Sequence, residues 1–144
     1  MGDSVVGVWS LKEMEIRTDA GLVRHPFGLT PRGLMILTKD GHFSLQVMDP
    51  RRPRFPSGDL FGSTVQERAS AMEGYSAYSG TYRVREGWIV IHVQTSLFPN
   101  WVGQEEERSF VLEGDTLQMS TQSVLAGGEE VRARVTWKRV SDLG

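Results

Sequence analysis

Two short runs bracket this chain and constrain what lies between them. Gly7-Val8-Trp9 opens a stretch of alternating apolar and polar residues, and Val135-Thr136-Trp137-Lys138-Arg139 closes another. A Gly-x-Trp at the start and a cation at the end of the last strand is how a small antiparallel barrel closes on itself. The indole plugs one end and the guanidinium stacks across it. An eight-stranded barrel is just wide enough to hold one small ligand, so function is expected inside the barrel.

Between the brackets the pattern is one of short strands. Residues 5–16 read as the first, with Val6, Val8, Ser10 and Lys12 on one face and Gly7, Trp9, Leu11 and Glu13 on the other. A long connection over 17–31 follows, where Pro26 and Pro31 forbid helix. Gly33–Thr38 and His42–Asp49 form a hairpin about Lys39-Asp40-Gly41, and Pro50–Ser63 is a loop. Thr64–Gly74 is the one good helix candidate: Glu67 follows Thr64 at capping-box spacing and Gly74 ends the run. Tyr78–Arg85 and Trp88–Leu97 pair about Glu86-Gly87, and Gln104–Leu112, Thr116–Gln122 and Val131–Arg139 complete about eight strands.

The 144 residues are expected to form one domain, 1–144, and the lack of cysteine excludes disulfides and thiolate-metal sites. Sixteen basic against 18 acidic residues give a net charge of -2, no field for nucleic acid or an anionic membrane. The basic cluster Arg51-Arg52-Pro53-Arg54 reads as a solvated turn. Met1-Gly2-Asp3-Ser4 has neither the basic nor the apolar region of a secretory leader, and no apolar run approaches the ~20 residues a bilayer requires. A cytoplasmic location is the expectation, with neither membrane nor nucleic acid as partner.

Several segments, in order and at similar spacing, resemble the lipocalin-like domain family. They include Gly7-Val8-Trp9-Ser10-Leu11, Pro26-Phe27-Gly28 with Pro31-Arg32-Gly33, Asp40-Gly41-His42-Phe43-Ser44, and Tyr75 through Tyr82. His92, Ser96 through Gly103, Arg108-Ser109-Phe110, Gly114-Asp115 with Leu117, and Trp137-Lys138-Arg139 extend the likeness over nearly the whole chain. The resemblance implies an all-β, antiparallel up-and-down eight-stranded lipocalin-like barrel with one short helix. It also implies a hydrophobic or aromatic small molecule as ligand. Some lipocalin-like proteins instead act without a cofactor as cyclases, isomerases or dehydratases on polyketide- or terpenoid-like intermediates, and that is the alternative.

Within Trp88–Leu97, one face carries Trp88, Val90, His92 and Gln94 and the other Ile89, Ile91, Val93 and Thr95. If the mixed face points inward, His92 and Gln94 sit in the cavity beside Trp88, and the imidazole is placed for acid–base work. Otherwise His92 lies on a solvated outer face. Tyr78 and Tyr82 share a face and offer phenols to a ligand carbonyl, or else fill core. Gln46 reaches the lumen if its strand twists, while Phe43, Leu45 and Val47 claim the buried side. Arg108 lies on an otherwise apolar face and is either paired with Glu106 or aimed at an anionic ligand group. Phe27, Phe98 and Trp101 fall in loops, at an entrance or sealing a closed end.

No cofactor or metal is expected: the three histidines lack local ligand spacing and no phosphate-binding glycine motif occurs. Nor is there a nucleophile elbow. The expected partner is a small hydrophobic molecule, with a homodimer kept open. A surface role for the helix and the Arg51–Arg54 loop is the remaining reading.

Overall fold

The computed structural model describes residues 4–140, so the start at Met1–Asp3 and the tail from Ser141 to Gly144 lie outside it. Ten strands and a helix follow one another: β1 (Gly7–Thr18), β2 (Val23–Arg24), β3 (Arg32–Leu37), β4 (His42–Met48), α1 (Val65–Glu73), β5 (Tyr75–Arg85), β6 (Trp88–Ser96), β7 (Glu105–Glu113), β8 (Thr116–Thr121), β9 (Val124–Ala126) and β10 (Glu129–Arg139). A single 3-10 turn, Pro99–Trp101, sits between β6 and β7. Eight strands, β1, β3 to β8 and β10, each pair antiparallel with the next, and β1 pairs with β10 to shut the cylinder. The short β2 and β9 extend the outer flanks of β1 and β10. The result is a closed, eight-stranded, up-and-down antiparallel barrel with one short helix.

Closure follows from the residues that open and end the chain. The Arg139 guanidinium lies 4.3 Å from the centre of the Trp9 ring. It donates to the carbonyls of Val6 and Ser4, each at 2.8 Å. The Trp9 indole N–H donates to the Val5 carbonyl at 3.0 Å. Gly7 is favoured here by its φ of +146°, and a Cβ would stand 2.6 Å from Arg139 Nη1 and push the guanidinium from its place.

Two bulges set which side chains face inward. In β1 the register against β10 slips between Leu11 and Glu13. Before the slip Trp9 and Leu11 point in; after it Met14, Ile16 and Thr18 do, and Glu13 is exposed. Strict alternation puts Glu13 with Trp9 and Leu11, and the bulge at Lys12 corrects that. In β5 a slip between Ser79 and Gly80 draws the strand against β6, where a Cβ on Gly80 would stand 1.9 Å from the His92 carbonyl oxygen.

The helix sits outside the barrel, with none of its residues buried. It forms because its N-terminus is capped reciprocally: Glu67 N–H donates to Thr64 Oγ1 at 3.1 Å, and Thr64 N–H to Glu67 Oε1 at 2.8 Å. The Arg51–Arg54 loop beside it is internally engaged. Arg51 grips Asp49 through Nε at 2.9 Å and Nη2 at 2.8 Å, and that hydrogen bonding holds the Asp49 carboxyl down at about 2. Arg52 donates to the Ala71 carbonyl at 3.2 Å and lies 4.8 Å from the Tyr75 ring centre.

Candidate functional site: the open half of the barrel

In a closed meander, alternate connections fall at the same end. The turns at 38–41, 86–87 and 114–115 are short and share one end with the Trp9–Arg139 plug. The connections over 19–31, 49–74, 97–104 and 122–128 are long and share the other. Packing differs accordingly. Toward the plug, Trp9, Met35, Leu37, Ile89, Ile91 and Leu117 are at most 1 % exposed and fill the bore. Toward the long loops the walls draw apart around a cavity of about 290 Å³.

Met14 and Ile16 of β1, Leu45 and Val47 of β4, Met119 and Thr121 of β8, and Val131, Ala133 and Val135 of β10 form its walls. Trp137 lies beneath them, buried, with an indole N–H that has no partner among the described residues. Pro26 and Phe27 from the first long loop, Glu73 at the end of α1, Trp101 of the 3-10 turn, and Val124 and Ala126 of β9 form the rim. Most of these side chains are aliphatic, and such a lining binds by excluding water.

One charge stands in the barrel wall. The Arg108 side chain is 7 % exposed and lines the cavity. Its Nη1 donates to the Glu107 carbonyl at 3.1 Å and to Glu106 Oε1 at 3.4 Å. Its guanidinium carbon lies 5.8 Å from the Trp101 ring centre. Burial works to lower its pKa, but the neighbouring Tyr78 phenol and Glu106 carboxylate outweigh burial and leave it above the ordinary value, so the group stays charged. Trp101 meets Tyr78 edge to face at 5.2 Å, and Tyr78 lies 5.4 Å from Phe43. Arg108, Tyr78 and Trp101 thus make a compact aromatic–cationic corner in an otherwise oily space.

The structure brings together part of the residue set picked from sequence. Tyr78, Arg108, Phe27 and Trp101 all line the cavity. Phe98 is 44 % exposed and reaches the site only by backing Trp101, edge to face at 5.6 Å. Tyr82 lies at the plugged end and donates its O–H to the Thr38 carbonyl at 2.6 Å. Burial, then the Asp40 carboxylate, raises its pKa.

The inward orientation of the mixed β6 face is corrected. His92 and Gln94 are exposed on the outside of the barrel, and Trp88, on the same side, is half-buried. The reason is that Ile89, Ile91 and Val93 are each fully buried, and a strand can turn only one face inward. Gln46 is also outside, where it accepts a hydrogen bond from the Tyr75 hydroxyl at 3.0 Å.

The walls of β1, β8 and β10 were not singled out from sequence. One signal was present: connection lengths alternate short and long along the meander, which puts every long loop, and so the entrance, at one end.

Residues 6–140 match the lipocalin-like domain family. The chain is 33% identical over 109 residues to the 4'-hydroxy-3'-methoxypropiophenone carrier protein of Aspergillus oryzae, covering 69% of this chain and 98% of that one. Among solved structures it is similar to a lipocalin-like protein from Bacteroides uniformis, at 12% identity and a TM-score of 0.49, covering 94% of this chain and 98% of that one. It is likewise similar to an uncharacterized protein from Bacteroides eggerthii, at 15% identity and a TM-score of 0.46, covering 95% of this chain and 100% of that one.

Proposed function

The chain belongs to the lipocalin-like domain family, and on that footing we propose that it binds and carries one small aromatic molecule in the open half of its barrel. The observation that carries this reading is the apolar cavity of about 290 Å³ with Arg108 set in its wall. That volume lies just under the ~300–1,000 Å³ typical of small-molecule sites, which suits a one-ring compound and not a long lipid. The relative from Aspergillus oryzae is named for carrying such a compound, an aromatic ketone with a hydroxyl and a methoxyl group. Carriage is favoured over acid–base catalysis because the imidazole of His92 lies outside. Of the three acid–base candidates only the Tyr78 phenol lines the cavity, whereas a carrier needs only shape and apolar area.

Trp101 and Trp137 in the cavity lining supply the readout. Titration with methyl 4-methoxybenzoate, a neutral one-ring ester, is expected to change tryptophan fluorescence saturably at one molecule per chain. His92→Ala is expected to shift the midpoint by no more than about twofold, as for other surface positions. An unsaturable titration overturns the reading, and a large loss on His92→Ala returns the site to the outer face.

A further inference from the structure

Arg108 is a buried cation with unused hydrogen-bonding capacity. A guanidinium carries five N–H groups in a fixed fork. Both hydrogen bonds that Arg108 makes among the described residues leave from Nη1, and the bond to Glu106 is long at 3.4 Å. No hydrogen bond within 3.5 Å leaves the Nε–Nη2 edge among the described residues, the pair of parallel donors that matches two oxygens of an acid, though the Tyr78 phenol stands within reach of the guanidinium. Glu106 does not line the cavity, and among the described residues the only other ionic side chain that does is Glu73 at the rim. The titratable neighbours from the packed elements are thus the carboxylate of Glu106 on β7, the phenol of Tyr78 on β5 and the carboxylate of Glu73 on α1, while the Glu107 carboxylate is turned away to Arg85.

A cation held in an apolar space is costly unless a partner completes its hydrogen bonding. Nothing in the aliphatic walls does so. The Trp101 face, 5.8 Å from the guanidinium carbon, and the Tyr78 ring set edge-on to it at 5.2 Å provide a surface for a flat ring beside the charge.

Resting on the carrier reading above, we infer that the cavity selects aromatic molecules bearing an anionic oxygen, a carboxylate or an acidic phenolate, which the free Nε–Nη2 edge of Arg108 holds. The ring lies among Trp101, Tyr78 and Phe27, and the oxygen turns toward β7. Arg108 is then the specificity-determining residue of the site.

The test compares three probes on the intact protein. 4-Methoxybenzoate is expected to bind at least about tenfold more tightly than its methyl ester at neutral pH, the scale of a hydrogen bond to a charged group. 4-Nitrophenol, whose phenolate is yellow, is expected to ionise on the protein at a pH about one unit lower than in buffer. A preference shown by only one of these anions supports the inference and identifies which oxygen the edge takes. The paired substitution Arg108→Gln with Glu106→Gln, which leaves neither charge stranded, is expected to bring the acid-to-ester ratio near one. If the ester binds as well as the acid and nitrophenol ionises no more readily than in buffer, the inference falls while the carrier reading stands. If none of the three binds, both fall. The wild-type comparison decides the matter even if the paired variant does not fold.

Discussion

Trp9→Ala is expected to remove about 3–5 kcal/mol of stability, the scale for deleting a large buried aromatic ring. Trp9 is fully buried, so nothing fills the space it leaves. The loss is compounded by what the ring supports. Its indole N–H ties back to the Val5 carbonyl at 3.0 Å, and its face carries Arg139 at 4.3 Å. Arg139 in turn fastens the end of β10 to the start of the chain through the carbonyls of Val6 and Ser4. Removing the indole therefore loosens the seam where the last strand meets the first. Domains are commonly stable by only ~5–15 kcal/mol, so the variant should show a much lower urea midpoint. Trp9→Phe keeps most of the apolar contact and should lose clearly less. A Trp9→Ala variant within about 1 kcal/mol of the wild type would mean that the other side chains close this end unaided.

Ala133→Phe is the second large effect, and it acts on binding instead of folding. Ala133 lies in the cavity wall on β10, and its backbone N–H donates to Thr121 Oγ1 at 2.8 Å, a bond the substitution keeps. A benzyl group there enters empty volume instead of packed core, so stability should change by less than about 2 kcal/mol. It occupies the place of a ligand ring, and affinity for methyl 4-methoxybenzoate should fall by more than about a hundredfold, roughly the binding of one buried ring. Thermal denaturation beside the titration separates the two effects. A folded Ala133→Phe protein with wild-type affinity would put the ligand elsewhere on the molecule.

Much of the architecture could be read from the residues, and each success had a local cause. The eight barrel strands alternate and are separated by turns and loops, so their order emerges without tertiary information, whereas β2 and β9, two and three residues long, carry no such pattern. Thr64 and Glu67 mark the start of the helix because a reciprocal cap needs those side chains at that spacing. Trp9 and Arg139 announce closure because their contact is one of charge with a ring. The pairing of Arg108 with Glu106 follows from two residues sharing a strand face.

What failed depended on long-range contacts. The bulge at Lys12 turns Met14 and Ile16 inward, yet nothing in the local pattern demands an extra residue there. For β6 the choice of inward face is a competition between three branched aliphatic side chains and a mixed set with one tryptophan. Burial of Ile89, Ile91 and Val93 wins, and His92 goes to solvent with Gln94. The cavity itself is a difference in filling between two ends of one bore, a property of how eight strands meet and not of any one of them.

The central claim is that the open half of the barrel is where a ligand sits. Methyl NMR of the protein titrated with methyl 4-methoxybenzoate tests it most directly. The account predicts shifts concentrated on Met14, Ile16, Val47, Met119, Val131 and Val135, with Leu37 and Ile91 at the filled end little moved. Shifts confined to outward-facing methyls such as those of Val84, Leu97 and Val111, with the cavity methyls unmoved, would contradict it.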